Sequence, residues 1–365
     1  IADNLAKTLE LFKEMILGTR LDSEKFVNIK AGIKNSIKEE NENHAAISRT
    51  QLMNKVYPAG HYHHQASQLE RWQMVDSITY ADVMNLWERI KQSNFVIAGS
   101  GDLKQDDLNK LQLVMQDWSK QPARNIGNEL VGAHRADLQE LEGNEFKALQ
   151  DQSFVTLGQQ LELKNTDPDF YALYLAKEIL GGATFSSRLM RTIRESQGNV
   201  YSANAYFSNY RNADGIFQIV AASQKGNGKN LAQQLKNVLS NFPADITEDE
   251  LNMAKQNFIK SYVKDKFEDN DAIADHLLDN RLKGRDLDFV KQIPAMIEGI
   301  QLPDIQNAIA KHIDLKNIHE VIVDDKIVVD GQEIDTSFDA KAYKARLAAP
   351  VAAAITVPAQ FTTSV

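Results

Sequence analysis

The stretch Gly181–Phe207, GGATFSSRLMRTIRESQGNVYSANAYF, constrains this chain most, because two backbone periods meet inside it across one turn. Leu189 and Ile193 lie four apart with Arg188, Arg191, Arg194 and Glu195 mostly elsewhere, which predicts a short helix with one apolar face. After Gln197-Gly198-Asn199 the period changes to two. Tyr201, Ala203, Ala205 and Phe207 fall on one side, with Ser202, Asn204, Tyr206 and Ser208 on the other, which predicts a strand. The spacing therefore sets Arg194 at a helix end and Tyr201 at a strand start. A fixed cation and a phenol come together at an element boundary, where binding residues concentrate.

The rest of the chain is read in the same way. Amphipathic helices are expected at Ala2–Leu17, from Asp22-Ser23 through Phe26, Ile29, Ile33 and Ile37, at Ala45–Val56, at Thr79–Lys91 and at Gln105–Trp118. Between the last two, Phe95–Ala98 closed by Gly99-Ser100-Gly101-Asp102 reads as a buried strand. Residues 121–144 hold Pro122, Gly127, Gly132 and Gly143 without periodicity and read as a linker. Strands follow at Phe154–Leu161, Tyr201–Phe207, Ile216–Ala222 and Glu320–Val323. Helices are expected from Asp167-Pro168 to Leu180, then at Lys229–Leu239, Glu248–Lys266, Asp271–Leu282 and Asp304–Ile313. Residues 331–365 read as a C-terminal tail, which becomes rich in Ala, Pro and Thr from Leu347 to Val365.

An internal repeat organises these elements. A shift of 225 carries Phe26, Ile29, Ile33 and Ile37 onto Leu251, Ala254, Phe258 and Tyr262, and Lys30 and Ser36 onto Lys255 and Ser261. A shift of 222 carries Ile78, Asp82, Val83, Asn85 and Trp87 onto Ile300, Asp304, Ile305, Asn307 and Ile309. The second copy begins near Glu145, so the first lacks its opening strands. The expected fold is α+β: an antiparallel sheet with helices packed on one face, a duplicated module whose first copy is truncated at its N-terminus. Residues 1–120 form the truncated copy, 121–144 the linker, 145–330 the complete copy and 331–365 the tail. An unrelated helical domain ahead of an α+β one is the alternative.

Composition narrows the function. A net charge of −9 and a pI near 5.5 lack the basic face that a nucleic-acid partner requires. No run approaches a membrane span. The chain has no Cys, which excludes disulfides and thiolate chemistry. It opens on Ile1 rather than Met, which suggests an excised piece.

The ordered set Leu180-Gly181-Gly182, Ser187-Arg188-Leu189, Arg194-Glu195, Gly198 and Tyr201-Ser202, with Gln152 ahead of the first strand, resembles the second-half signature of the pitrilysin/insulinase family of zinc metallopeptidases. Asn199 departs from it, where Leu is usual. The family holds zinc with two His of an inverted H-x-x-E-H helix and a Glu from a later helix. Here the corresponding helix reads Tyr174-Leu175-Ala176-Lys177-Glu178, and the position aligned with the distal Glu in the first copy is near Ile37. The resemblance thus implies no metal in this chain and zinc in a missing N-terminal half. It also implies that Arg194 and Tyr201, seven apart, face that zinc site as auxiliary substrate-binding residues. On the residues alone, an ion-paired Arg194 and a half-buried Tyr201 remain an alternative.

The implied function is the C-terminal, substrate-binding half of a peptide-cleaving enzyme, inactive by itself. Its partners would be peptide and a zinc-bearing half, in the same polypeptide or a separate subunit. The alternative is a non-catalytic scaffold subunit of the same fold. The periplasm is the expected compartment, the cytoplasm the alternative. Arg188 and Arg191 read as a solvated basic face, and Gly181 and Gly182 as backbone devices. His61-Tyr62-His63-His64 is a His-rich loop with two readings, metal ligands or loop packing. His134, His276, His312 and His319 read as surface or half-buried residues.

Overall fold

The computed structural model describes residues 5–17, 22–40, 43–58, 61, 63–66, 68–91, 96–118, 152–164, 166–182, 187–197, 200–208 and 215–334. The expected linker and nearly all of the tail, with His134, lie outside them.

The first part is helical. It contains α1 (Leu5–Leu17), α2 (Ser23–Glu39), α3 (His44–Val56), α4 (Gln68–Ser77), α5 (Tyr80–Lys91) and α6 (Gln105–Trp118). Polar caps fix the starts. Asp22 Oδ1 accepts from Glu24 N at 2.8 Å, Asn43 Oδ1 from Ala46 N at 3.1 Å, and Thr79 and Asp82 satisfy one another's backbone N–H ahead of α5. Helix α4 stands between the helices expected at Ala45–Val56 and Thr79–Lys91, where the sequence predicts none. Its segment has no apolar stripe, and tertiary contacts hold it: Lys34 Nζ sits 3.5 Å from the Trp72 ring centroid and Arg71 pairs with Glu40. The strand expected at Phe95–Ala98 is absent over its described residues 96–98. Val96 and Ile97 are 42% and 39% exposed. A strand requires a neighbour, and none of the described strands lies beside this segment.

The sheet is built from β1 (Gln152–Leu161), β2 (Val200–Ser208), β3 (Gly215–Gln224), β4 (His319–Val323), β5 (Ile327–Val329) and β6 (Gln332–Glu333), in the order β2-β3-β1-β4-β5-β6. Every pairing is antiparallel. The last two strands are too short to show as a pattern in the sequence. Strand β1 is buried almost throughout, because both faces of the sheet are covered along it.

The expected helical layer covers one face: α7 (Phe170–Gly181), α8 (Arg188–Gln197), α9 (Gly228–Asp245), α10 (Glu248–Phe267), α11 (Asn270–Leu282), α12 (Ile293–Gly299) and α13 (Leu302–His312). Leu157, Leu175, Leu189, Ile219, Leu231, Leu235, Leu251 and Ile305 all have 0% exposure in its core. Each such side chain contributes about 1.5–3 kcal/mol by leaving water. Across this layer the Gln159 side chain donates to His312 O at 2.9 Å and accepts from Asp314 N at 3.0 Å, which ties β1 to the end of α13.

The other face receives α3, from the first part of the chain. Leu52, Met53 and Tyr57 pack on Ile216, Val321, Val323, Ile327 and Val329. Ser48 bonds Thr156 within this contact, and Tyr57 Oη donates to Gly215 O at 2.6 Å. The close approach needs Gly158, where a Cβ would stand 2.7 Å from Leu52 Cδ2.

Candidate functional site

The constraining stretch holds the end of α7, then α8, then β2, the outer strand of the sheet. Gly181 ends α7 directly over β2, where a Cβ would press on Ala205 N and stand 2.8 Å from Leu189 Cδ1. Glycine there serves close packing, as the sequence indicates. Leu189, Met190 and Ile193 bury one face of α8, and Met190 Sδ accepts from Ala203 N at 3.1 Å, fixing helix to strand.

Arg188 is not part of a solvated basic face. Its side chain is 15% exposed and grips Glu250 through Nε and Nη2 at 2.6 and 2.7 Å, while Nη2 also reaches Asp245 O. The same Glu250 closes the α10 capping box by accepting from Thr247 N at 3.0 Å. Burial alone would raise the Glu250 carboxyl, but the hydrogen bonds from Arg188 and Thr247 outweigh it and hold its pKa at about 2. Arg191 adds a bond to Glu250 at 3.2 Å and stays exposed, closer to the expected role.

Tyr201 departs from the period-two reading, which puts it beside Ala203 and Ala205. Val200 pairs with Ser223 and Ser202 with Ala222, a register shift that marks a β-bulge. Val200 and Ala203 then both enter the core, at 5% and 0% exposure, and Tyr201 and Ser202 share the place opposite Ala222 on the other face. Tyr201 is 54% exposed as a result. Bulges re-aim side chains in this way, often beside sites. The signal was present in the sequence: Val200 and Ala203 are apolar residues three apart, a slip in an otherwise alternating strand. Arg194 lies in the last part of α8, at the helix end expected of it; its side chain and residues 198 and 199 are outside the described set.

The remaining candidates resolve into packing. On α7, Tyr174 sits edge-on to Phe207 and Phe258 at 5.8 and 5.0 Å, and Lys177 Nζ lies 4.2 Å from its ring while pairing with Glu178. An aromatic cluster with an ammonium above it does not fit zinc, which takes neutral imidazole, thiolate or carboxylate. Among the described residues, no group of three or more His, Asp or Glu is placed to hold a metal. In the His-rich loop, His61 stacks on Tyr57 at 4.5 Å, its Nδ1 accepts from His63 N at 3.1 Å, and His64 Nδ1 meets Tyr57 O at 2.9 Å. These rings close the end of the α3 contact.

Two isolated His are deeper than the sequence suggests. His276 is 3% exposed, edge-on to Tyr262 and Phe267 and bonded to Asn280; burial, then Lys266, lowers its pKa. His312 is nearly buried and pairs with Asp169 at 3.0 Å. His319 pairs with Asp330 at 3.0 Å and is half-buried as expected.

The module has a six-stranded antiparallel sheet with a helical layer, an α7 that carries Tyr, Lys and Glu where the family's metal motif would stand, and a Tyr turned outward at the sheet edge. The chain belongs to the M16 peptidase family: the Peptidase M16 inactive domain matches residues 77–258. No curated protein matches it.

The fold recurs in solved structures. The peptidase M16 inactive domain from Pseudomonas fluorescens superposes with a TM-score of 0.68 at 21% identity over 86% of this chain and 74% of that one. The periplasmic protease PqqL from Escherichia coli gives 0.65 at 14% identity over 89% of this chain but only 35% of its own length. A chain of Complex III2 from Candida albicans gives 0.62 at 15% identity over 88% and 77%. Among the described residues no helix is long and apolar enough to cross a membrane.

Proposed function

We propose that this chain is the C-terminal, substrate-binding half of a zinc metallopeptidase, and that it supplies Arg194 and Tyr201 to a zinc site carried by a separate N-terminal half. Alone it cleaves nothing. The exposure of Tyr201 carries this reading. A tyrosine in a strand of apolar neighbours belongs in the core by pattern, and here a bulge spends a residue to turn it outward beside the end of α8. A phenol so placed donates a hydrogen bond to a peptide carbonyl oxygen as it gains negative charge. A guanidinium at the end of α8 suits a second backbone carbonyl. The zinc-bearing half lies in the same polypeptide or in another subunit, and the fold shared with a periplasmic protease favours the periplasm.

The duplicated organisation belongs to the same proposal. Residues 1–120 are the back part of a first module and 145–330 a whole second one, joined by 121–144. One observation favours a second reading, a scaffold subunit of the same fold, since a Complex III2 chain shares it. The test mixes this chain with its zinc-bearing half and follows peptide cleavage. Tyr201→Phe should lower kcat by about 100-fold, the loss typical of one oxyanion donor, and Arg194→Ala should raise KM. Unchanged rates in both variants remove the assigned roles, and no cleavage by the wild-type mixture supports the scaffold.

A further inference from the structure

We propose that Tyr206, assisted by Asn204, is a second peptide-contacting position that grips an extended substrate some distance from Tyr201. This rests on the reading of Tyr201 as a residue that contacts substrate, and it assigns side chains which that reading leaves without a role.

The register places these residues together. Ala203, Ala205 and Phe207 pair with Ala221, Ile219 and Phe217 and turn toward the helical layer. Ser202, Asn204 and Tyr206 therefore turn to the opposite face, and the bulge at Val200–Ser202 brings Tyr201 to that same face. Without the bulge Tyr201 and Tyr206 would lie on opposite sides of the sheet. With it they are two aromatic side chains, 54% and 49% exposed, at either end of one shelf.

Helix α3 covers this face over β1, β4 and β5. Beyond it, β2 is the outermost strand, and its cross-strand neighbours on the shelf are Val220 opposite Asn204 and Gln218 opposite Tyr206. At about 3.3 Å per residue the two phenols stand roughly 15 Å apart along the strand, the reach of about five residues of extended peptide.

The edge itself offers less than the face. The Ala203 N–H, which points away from β3, is taken by Met190 Sδ at 3.1 Å. A peptide pairing with the backbone as a seventh strand would meet that sulfur, so the shelf binds through side chains. Tyrosine suits the task, combining a large apolar ring, few rotatable bonds and a terminal hydroxyl. Asn204 adds an amide that both donates to and accepts from a peptide backbone. Ser202, Asn204, Tyr206 and Gln218 carry no charge, so the contact favours neutral and apolar peptide segments and is insensitive to salt.

The experiment uses the full chain with its zinc-bearing half and two fluorogenic peptides, one of about 20 residues and one of about three, which reaches only about 10 Å and is too short to span both phenols. Tyr206→Ala should raise KM for the longer peptide about fivefold or more, at low and high salt alike, with kcat and the shorter peptide unaffected. Tyr206→Phe should retain most of the affinity, and Asn204→Ala should give a smaller rise in KM. Wild-type behaviour of Tyr206→Ala on both peptides overturns the proposal, as does an equal loss on both. A second arm reads binding without turnover: fluorescence anisotropy of the labelled longer peptide with this chain alone. Weaker binding by Tyr206→Ala there, combined with no cleavage by the wild-type mixture, would retire the metallopeptidase reading and leave the shelf standing; equal binding would remove the shelf.

Discussion

Lys30 of α2 donates through Nζ to the Asp76 and Ile78 carbonyls at 2.5 and 2.9 Å, and Lys255 of α10 donates to the Glu298 carbonyl at 3.0 Å. The shift of 225 carries the first lysine onto the second, and the shift of 222 carries Asp76 onto Glu298. Thr79 with Asp82 and Gln301 with Asp304 form the same cap ahead of α5 and α13. Asn43 and Asp269 cap α3 and α11 through the N–H groups of Ala46 and Ala272. Burial separates the two sets. Leu251, Phe258 and Ile305 are 0%, 8% and 0% exposed over the sheet, whereas Ile29 and Ile33 are 62% and 46% exposed. Helix order and capping are local and survive without a sheet; a core does not. This supports the proposed duplication, as does α11 beginning beside Ser100, whose Oγ donates to Asn270 Oδ1 at 3.1 Å, near the segment that corresponds to β4.

The largest contrast should appear in paired truncations. Phe258→Ala removes a ring packed on Tyr171, Tyr174 and Tyr262 and should cost about 3–5 kcal/mol. Ile33→Ala, at the matching place on α2, should cost under about 1 kcal/mol, because its side chain is half in water already. Urea denaturation measures both, and equal losses would mean that the two helical layers do not differ in the way burial indicates.

Helix α3 sharpens the contrast, because it packs directly on the sheet. Leu52 is 0% exposed against Gly158, so Leu52→Ala should cost about 3 kcal/mol. A loss near zero would show that the first region is not fastened to the sheet through α3.

Acid should act next, and mainly on the second region. Glu250 has a folded pKa of about 2 against 4.5 for the free side chain. A depressed pKa means that the folded state holds the charged form, so the stabilisation is present above about pH 4.5 and is lost as pH falls toward 2. Asp169, lowered by Lys311 and His312, acts in the same direction. Arg188→Met should flatten this acid limb and cost about 1–2 kcal/mol at neutral pH. An unaltered limb in a pH series of thermal melts would assign the acid loss elsewhere.

How much of this was legible depended on where the information is stored. Helices with an apolar stripe or a cap, such as α2 and α10, announced themselves within their own residues. Helix α4 did not, because Lys34 over Trp72 and Arg71 with Glu40 hold it through partners distant in sequence. Val96–Ala98 has a strand's composition but lacks the neighbour that would make it one. Arg188 looked solvated because Glu250 is 62 positions away. At Tyr201 alternation predicted the wrong face, and only the three-residue step from Val200 to Ala203 gave the bulge away. The signature's order was readable throughout; which face each member occupies required the pairing register.

The smallest effect discriminates best between a true repeat and a chance likeness. Lys30→Met and Lys255→Met each remove an ammonium that bonds to carbonyls at the end of a neighbouring helix, on exposed surfaces in both regions. Neither bond depends on a sheet, so both should cost about the same, near 1 kcal/mol. Lys30 reaches two carbonyls and Lys255 one, so any difference should run toward a larger loss at Lys30. A markedly larger loss at Lys255 would show that its bond draws its strength from the buried core beside it. The two lysines would then be alike in geometry alone, and the inference that α2 and α10 are copies of one helix would lose its most specific support.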